Sequence, residues 1–342
     1  MRDLLDAQRE FSPVGVYLDS ASMGLPPRSV SEAVRGSLEA WSRGQVHAPS
    51  YDVAVERSRS LYADLVGVPV TAVAVGSQVS AFAGLVAAGL PDGAEVLTVE
   101  GEFTSIVFPF LVQASRGVTV RDVPLESLAE EVRPSTSLVA VSAVQSSDGR
   151  LVDLDALEAS GARVLLDTTQ AVGWLPVDAS RFAWTTGGGY KWLLAPRGTA
   201  FFTENPALTD GLVPHAAGWY AGEDPWTSIY GGPLRLSCDA RRYDVSPAWH
   251  SWVGQAAALE LLSQVGAPAL HAHAVGLAEG FREQLGIAPS GSAIVSLPAG
   301  PRAAERLAGA GVKASVRAGG LRLAFHVHNT STDVEVALQA LA

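Results

Sequence analysis

The chain is short of several things. It has one cysteine, Cys238, which excludes an intrachain disulfide, a cysteine-based zinc site and an iron–sulfur cluster. It is short of positive charge: 24 Lys and Arg against 35 Asp and Glu leave a formal net charge of −11. A nucleic-acid scaffold needs a basic face, and an anionic membrane surface repels such a chain. No apolar run reaches transmembrane length, and the opening "MRDLLDAQREFSPVG" is charged throughout, unlike a secretory signal. These absences predict a cytoplasmic protein with neither a nucleic-acid nor a membrane partner.

Lysine is the scarcest basic residue. Only Lys191 and Lys313 stand among the 24 basic side chains. A GC-rich coding bias gives the same excess of arginine. Yet Lys191 sits in "TTGGGYKWLLAPRG" (185–198), between a glycine run and an apolar run. Arginine would supply a charge there equally well. It could not supply a primary amine that loses its proton and attacks a carbonyl.

With 342 residues, 48 % of them hydrophobic and 17 % charged, the chain can bury one large domain or two unequal ones. Apolar runs at 72–75, 95–99, 118–123, 138–144, 163–169 and 198–202 read as strands, and 78–90 and 104–117 between them as helices. That alternation predicts an α/β fold with a mostly parallel sheet covered on both faces. Ligands in such sheets sit beyond the carboxyl ends of the strands. The residues just after the runs are Gly76–Ser77, Phe103, Gln145, Asp167 and Gln170. The stretch "GWYAGEDPWTSIYGGP" (218–233) is aromatic, glycine-rich and aperiodic, and reads as a long functional or interface loop. A helix from about 248 to 265, a second from 267, strands at 293–298 and 321–327, a helix near 301–310 and a terminal helix from Ser331 predict a smaller α/β domain. The expected division is 15–247 for the large domain and 248–342 for the small one, with 1–14 packing against the latter.

Asp167 ends the apolar run of "VLLDTTQAVGWLPVD", where an aspartate is commonly a helix cap or a turn residue. Lys191, 24 residues on, could be an ordinary snorkelling lysine, but its apolar flanks predict a depressed pKa and a more nucleophilic amine. Together the pair suggests pyridoxal phosphate (PLP). The lysine would form a Schiff base with the cofactor, and the aspartate would keep the pyridine nitrogen protonated. A phosphate-binding P-loop is excluded, because Tyr190 precedes the lysine and Trp192 follows it; there is no GxGxxG either. His326 and His328 alternate with apolar residues and read as structural rather than as metal ligands.

Four stretches carry a resemblance. "YLDSASMGLPP" (17–27), "LLDTTQAVGWLPVD" (165–178), "TTGGGYKWLLAPRGTAFF" (185–202) and "LRLAFHVHNTSTDV" (321–334) occur in this order over nearly the whole chain. They resemble motifs of the class V aminotransferase family of fold-type I PLP enzymes, which includes cysteine desulfurases and relatives of kynureninase. The resemblance implies a seven-stranded-type central sheet and a homodimer with 218–233 near the neighbouring site. It implies catalytic roles for Lys191, which carries the cofactor and shuttles the substrate's α-proton, and for Asp167 at the ring nitrogen. Phe103 would stack on the ring, with core packing as its ordinary role. Gln170 would lie near the ring oxygen, and Gln145 would approach it from the other side or be an exposed loop amide. Ser77, Gln78 and Tyr190 would hold the phosphate. Arg322 would bind the substrate carboxylate rather than lie on an edge strand. Trp219 and Ser246 align loosely with active-site neighbours.

The chain also departs from the family. The region "GVKASVRAGGLRL" has Ala314, Ser315 and Val316 where desulfurases carry a catalytic cysteine, and Cys238 does not match that position. Gly188 and Gly189 offer no side chain to the phosphate. The expected reaction is therefore transamination of an amino acid, with kynureninase-like or C–S lyase cleavage at Cβ as the alternative. A persulfide-forming desulfurase is not expected, and a non-catalytic protein on the same fold is the remaining reading.

Overall fold

The computed structural model describes residues 3–298 and 301–342. In chain order it begins with α1 (Leu4–Gln8), β1 (Val16–Tyr17), α2 (Arg28–Ser42) and α3 (Asp52–Leu65). The central region follows with β2 (Val73–Gly76), α4 (Val79–Gly89), β3 (Glu95–Val99), α5 (Thr104–Leu111), β4 (Thr119–Val123), β5 (Thr136–Ser142), α6 (Leu154–Ala159), β6 (Val164–Asp167), β7 (Trp184–Gly188) and β8 (Ala200–Glu204). The chain closes with α7 (Trp249–Val265), α8 (Ala267–Gln284), β9 (Ile294–Leu297), α9 (Pro301–Gly309), β10 (Val312–Lys313), β11 (Ser315–Arg317), β12 (Gly320–Ala324) and α10 (Ser331–Leu341).

Seven strands form one sheet in the order β2-β8-β7-β6-β5-β3-β4. Only β8 runs against its neighbours. Alternate residues of the apolar strands enter opposite cores, as a period of two requires. Val139, Val141 and Leu166 face a cluster with Val55 and Tyr62 of α3 and Trp252 and Leu259 of α7. Leu138, Ala140 and Leu165 face one with Phe82 and Val86 of α4 and Ile106 and Phe110 of α5. A separate cluster packs the sheet β11-β12-β9 against α8 and α10.

Every strand of the central sheet falls within 15–247 and every strand of the three-stranded sheet within 248–342. β1 crosses that division and pairs with β10. In the N-terminal segment, Gln8 Nε2 donates to Asn329 O at 2.9 Å, and Phe11 lies 5.4 Å from the His328 ring; Met1 and Arg2 lie outside the described residues.

Three elements differ from the sequence reading. The stretch Trp184–Gly188, which is not among the apolar runs, is a strand, β7. Its threonines are satisfied across the sheet, Thr185 with Thr203 at 2.8 Å and Thr186 with Phe201 O at 3.2 Å. The helix expected over 104–117 stops at Leu111 and tightens into a 3₁₀ turn over 112–116, which Gly117 ends in the left-handed conformation at φ +76°. Helices α2 and α3, which cover the first core with α7, had no counterpart in that reading.

Candidate active site

The carboxyl ends of β2, β5, β6 and β7 open into one cleft of about 580 Å³, counting the part open to solvent. Ser77 and Gln78 line it, with Ser142, Ser146, Asp167, Gln170, Gly188, Tyr190, Lys191, Arg197 and Thr199, and Phe103 from the start of α5.

Lys191 is presented by the connection between β7 and β8. The antiparallel register Gly188↔Ala200 makes residues 189–199 return on themselves. Other motifs of the sequence clamp this loop. Gly24 N donates to Tyr190 O at 2.8 Å, and a Cβ on Gly24 would lie 2.1 Å from Lys191 O. This close approach explains the glycine in "YLDSASMG". Trp192 Nε1 donates to Gln170 Oε1 at 2.7 Å, while Trp192 O lies 2.8 Å from His326 Nε2. The four resembling stretches thus meet at the lysine loop. Lys191 Nζ lies 5.4 Å from the Phe103 ring centroid and 5.7 Å from that of Tyr190. Burial pulls its pKa down to about 8; Asp167 opposes the shift, and Arg322, Arg317 and Arg197 add to it.

Asp167 is buried at the end of β6, and its Oδ1 accepts from Thr169 N at 2.8 Å. Burial pushes its carboxyl up to about 6. The Thr169 hydrogen bonds and Lys191 oppose the shift, and the charge of Glu102 adds to it. Glu102 was missed in the sequence. It is buried and accepts from Phe103 N at 2.6 Å, Ser142 N at 2.8 Å, Ser142 Oγ at 2.6 Å and Gln145 Nε2 at 3.1 Å.

That network decides Gln145. Its side chain is neither an exposed loop amide nor part of the cleft wall; it is buried against Glu102, and Ser146 occupies the wall instead. Gln170 does line the cleft, with its amide engaged by Ala21 O at 2.9 Å, Ser146 Oγ at 3.1 Å and Trp192. Ser77 and Gln78 precede α4, where Gln78 makes no side-chain cap, so the first-turn N–H groups face the cleft without that partner. Phe103 is 42 % exposed, too open for a core residue. Tyr190 carries the Arg197 guanidinium 4.7 Å above its ring.

Arg322 lies on β12, the central strand of its sheet, and is 2 % exposed, so it is not a surface arginine on an edge. It stands behind Ser146, to whose carbonyl Nη1 donates. Its Nη2 donates to Ser22 Oγ at 2.7 Å and its Nε to Ser315 Oγ at 3.2 Å. Arg317, a second residue missed in the sequence, donates to the same Ser22 Oγ at 3.1 Å. Asp19 Oδ1 is 3.9 Å from Arg322 and has no hydrogen-bond partner among the described residues. Trp219 and Ser246 do not line the cleft; Trp219 packs on Tyr220 and Trp226. His328 Nε2 lies 3.0 Å from Tyr17 O, so both histidines engage carbonyl groups, and no group of His, Cys, Asp and Glu able to hold a metal occurs among the described residues.

The cleft fits PLP on its own chemistry. A buried carboxylate with no arginine paired to it among the described residues suits a protonated ring nitrogen, a half-exposed phenyl ring suits an aromatic face, and a depressed amine suits an aldehyde. Fold and site together define a fold-type I PLP-dependent enzyme. Residues 16–304 match the family described as Aminotransferase class-V, and the chain belongs to that family. It is 27 % identical over 312 residues to an uncharacterized aminotransferase of Bacillus subtilis (strain 168), covering 84 % of this chain and 83 % of the relative. It is 27 % identical over 314 residues to isopenicillin N epimerase of Streptomyces clavuligerus, covering 81 % and 76 %. A probable cysteine desulfurase of Aeropyrum pernix is 28 % identical over 281 residues, covering 73 % and 67 %. Solved structures share the fold at lower identity. The cystine C–S lyase C-DES has a TM-score of 0.86 at 19 % identity, covering 96 % of this chain and 97 % of the other. The cysteine desulfurase CsdA of Escherichia coli has 0.83 at 20 %, covering 100 % and 98 %. The cofactor is pyridoxal 5'-phosphate. Among the described residues no helix is long and apolar enough to cross a membrane.

Proposed function

We propose that the chain transaminates an amino acid. The observation that carries this is the distribution of titratable groups around the cleft. Lys191 is the one lining amine, and Asp167 is the one lining carboxylate, which would be committed to the ring nitrogen. Bound there, PLP supplies an electron sink for the pair released from the substrate's Cα. Lys191 Nζ would take the Cα proton as general base and, as the single lining amine, would hand it to the cofactor's former aldehyde carbon rather than back to Cα, after which water releases the α-keto acid. Two-base inversion at Cα would call for a second base opposite it. Persulfide formation would call for a thiol, and the loop before Arg322 offers Ser315. Arg322 takes the substrate carboxylate by exchanging its bonds to Ser22 and Ser146 for a bidentate pair. Cleavage at Cβ is the second reading, favoured by the likeness of fold to a cystine C–S lyase. The active form is a homodimer. The loop 218–233 is anchored by Tyr220 Oη and Trp226 Nε1, at 2.8 and 2.6 Å from the Asp52 carboxylate, while Tyr230 at its tip is 89 % exposed.

The test is an absorption spectrum of wild type and Lys191→Ala with PLP, followed by product analysis over a panel of amino acids. An α-keto acid of unchanged skeleton with pyridoxamine phosphate supports transamination. Pyruvate or alanine plus a released fragment indicates cleavage at Cβ, and the opposite enantiomer indicates inversion. A holoenzyme that is monomeric by light scattering would remove the dimer.

A further inference from the structure

Charge at the phosphate end of the cleft singles out Arg197, which the sequence reading passed over. A phosphate monoester carries about −1.5 to −2 at neutral pH. A helix N-terminus supplies roughly +0.5, and here that is the first turn of α4 behind Ser77 and Gln78. About one positive charge is still required. Gly188 and Gly189 cannot contribute a side chain, and position 189 cannot acquire one, because a Cβ would lie 1.9 Å from Gln255 Oε1. The lining cations are Lys191 and Arg197, and Lys191 is taken by the cofactor's aldehyde.

Arg197 sits where such a charge is needed. The β7–β8 return brings it back beside Gly188 and Thr199, on the same wall as Tyr190. Its guanidinium carbon lies over the Tyr190 ring, 4.7 Å from the centroid, and makes no ion pair with a carboxylate among the described residues. Every other arginine near the cleft is engaged elsewhere, Arg317 and Arg322 on Ser22. We infer that Arg197 is the phosphate counter-charge of this chain, held in place by stacking on Tyr190 and taking over from the side chains that Gly188 and Gly189 lack. The planar fork would then make a charge-assisted pair with the phosphate oxygens while Tyr190 holds it on the cleft wall. The inference rests on the cofactor assignment.

The experiment compares equilibrium binding of PLP and of pyridoxal, the same aldehyde without its phosphate, to the cofactor-stripped full chain. Wild type, Arg197→Ala and Arg197→Lys are titrated by absorbance. Arg197→Ala is expected to weaken PLP about 10- to 100-fold and leave pyridoxal unchanged, with Arg197→Lys between. Inorganic phosphate should raise the thermal midpoint of stripped wild type more than that of either variant, a readout that survives if Arg197→Ala binds no aldehyde at all. Equal losses for PLP and pyridoxal, or no loss for either, would overturn the inference. A wild type that binds neither aldehyde would instead overturn the cofactor assignment.

Discussion

Asp167 offers a quantitative check on the site. In the cofactor-free protein its carboxyl is buried with a backbone N–H for company, and burial raises its pKa from 3.8 to about 6. At 1.36 kcal/mol per unit, a shift of about two units is worth about 3 kcal/mol. The sign follows from proton linkage. The folded chain holds this proton more tightly than the unfolded chain, so the stabilisation is complete below about pH 4 and is lost as pH rises through 6. Asp167→Asn removes the titration. Its spare amide N–H group costs something, but equally at every pH. The gap in thermal midpoint, variant minus wild type, should therefore grow between pH 4 and 7. With an unfolding entropy of about 0.7 kcal/mol per kelvin for a chain of this length, the growth is about 4 °C. Titrations shared by both proteins cancel, including the acid-side loss from His326 and His328, whose burial lowers their pKa values to about 3 and about 4. Scanning fluorimetry of stripped protein at several pH values measures the gap. Saturating PLP should shrink or reverse it, because the ring nitrogen restores a partner to wild type alone. Parallel midpoints from pH 4 to 7 would refute the account of Asp167 as a desolvated carboxylate awaiting a cation.

Three further outcomes are expected. Asp244→Ala strips the bidentate partner from Arg59, which is 1 % exposed, and leaves Val75 N without its 2.7 Å bond. Denaturant unfolding should show a loss of about 3–5 kcal/mol, and β2, which feeds the phosphate end, should be the region that loosens in hydrogen exchange. Gly189→Ala drives a methyl into Gln255 Oε1 and Thr199 Oγ1, which are themselves joined at 2.8 Å. It should cost about 1–3 kcal/mol and release PLP faster on dialysis, followed by loss of absorbance. Arg322→Lys keeps the charge and loses the fork. Steady-state kinetics at full PLP occupancy should show KM for the amino acid rising about 10- to 100-fold with a smaller change in kcat, and an unchanged KM would take Arg322 out of substrate binding.

Much of this protein was legible in the chain because its signals are local. Buried parallel strands read as apolar runs wherever their residues pack on both faces, as in 95–99 and 138–142. The scarce lysine among apolar neighbours and the aspartate ending a strand carry their chemistry in residue type alone. β7 was hidden because threonine and glycine are not apolar; its place is fixed by hydroxyl bonds to β8 and by the close approach of Thr168, whose Oγ1 would lie 2.5 Å from a Cβ on Gly187. Gln145 shows the limit most plainly. Its position after a strand placed it near the cleft, but the buried charge of Glu102, 43 residues away in sequence, claimed its amide. Arg197 and Ser146 entered the site for the converse reason, that a hairpin return and a packed loop delivered them there. Sequence by itself determined the apolar strands and pointed to Lys191 and Asp167, since periodicity and side-chain chemistry are properties of short stretches. Only the tertiary structure decided which polar groups satisfy one another and which are left facing the cleft, since buried donors and charges pair with whatever the fold brings within reach.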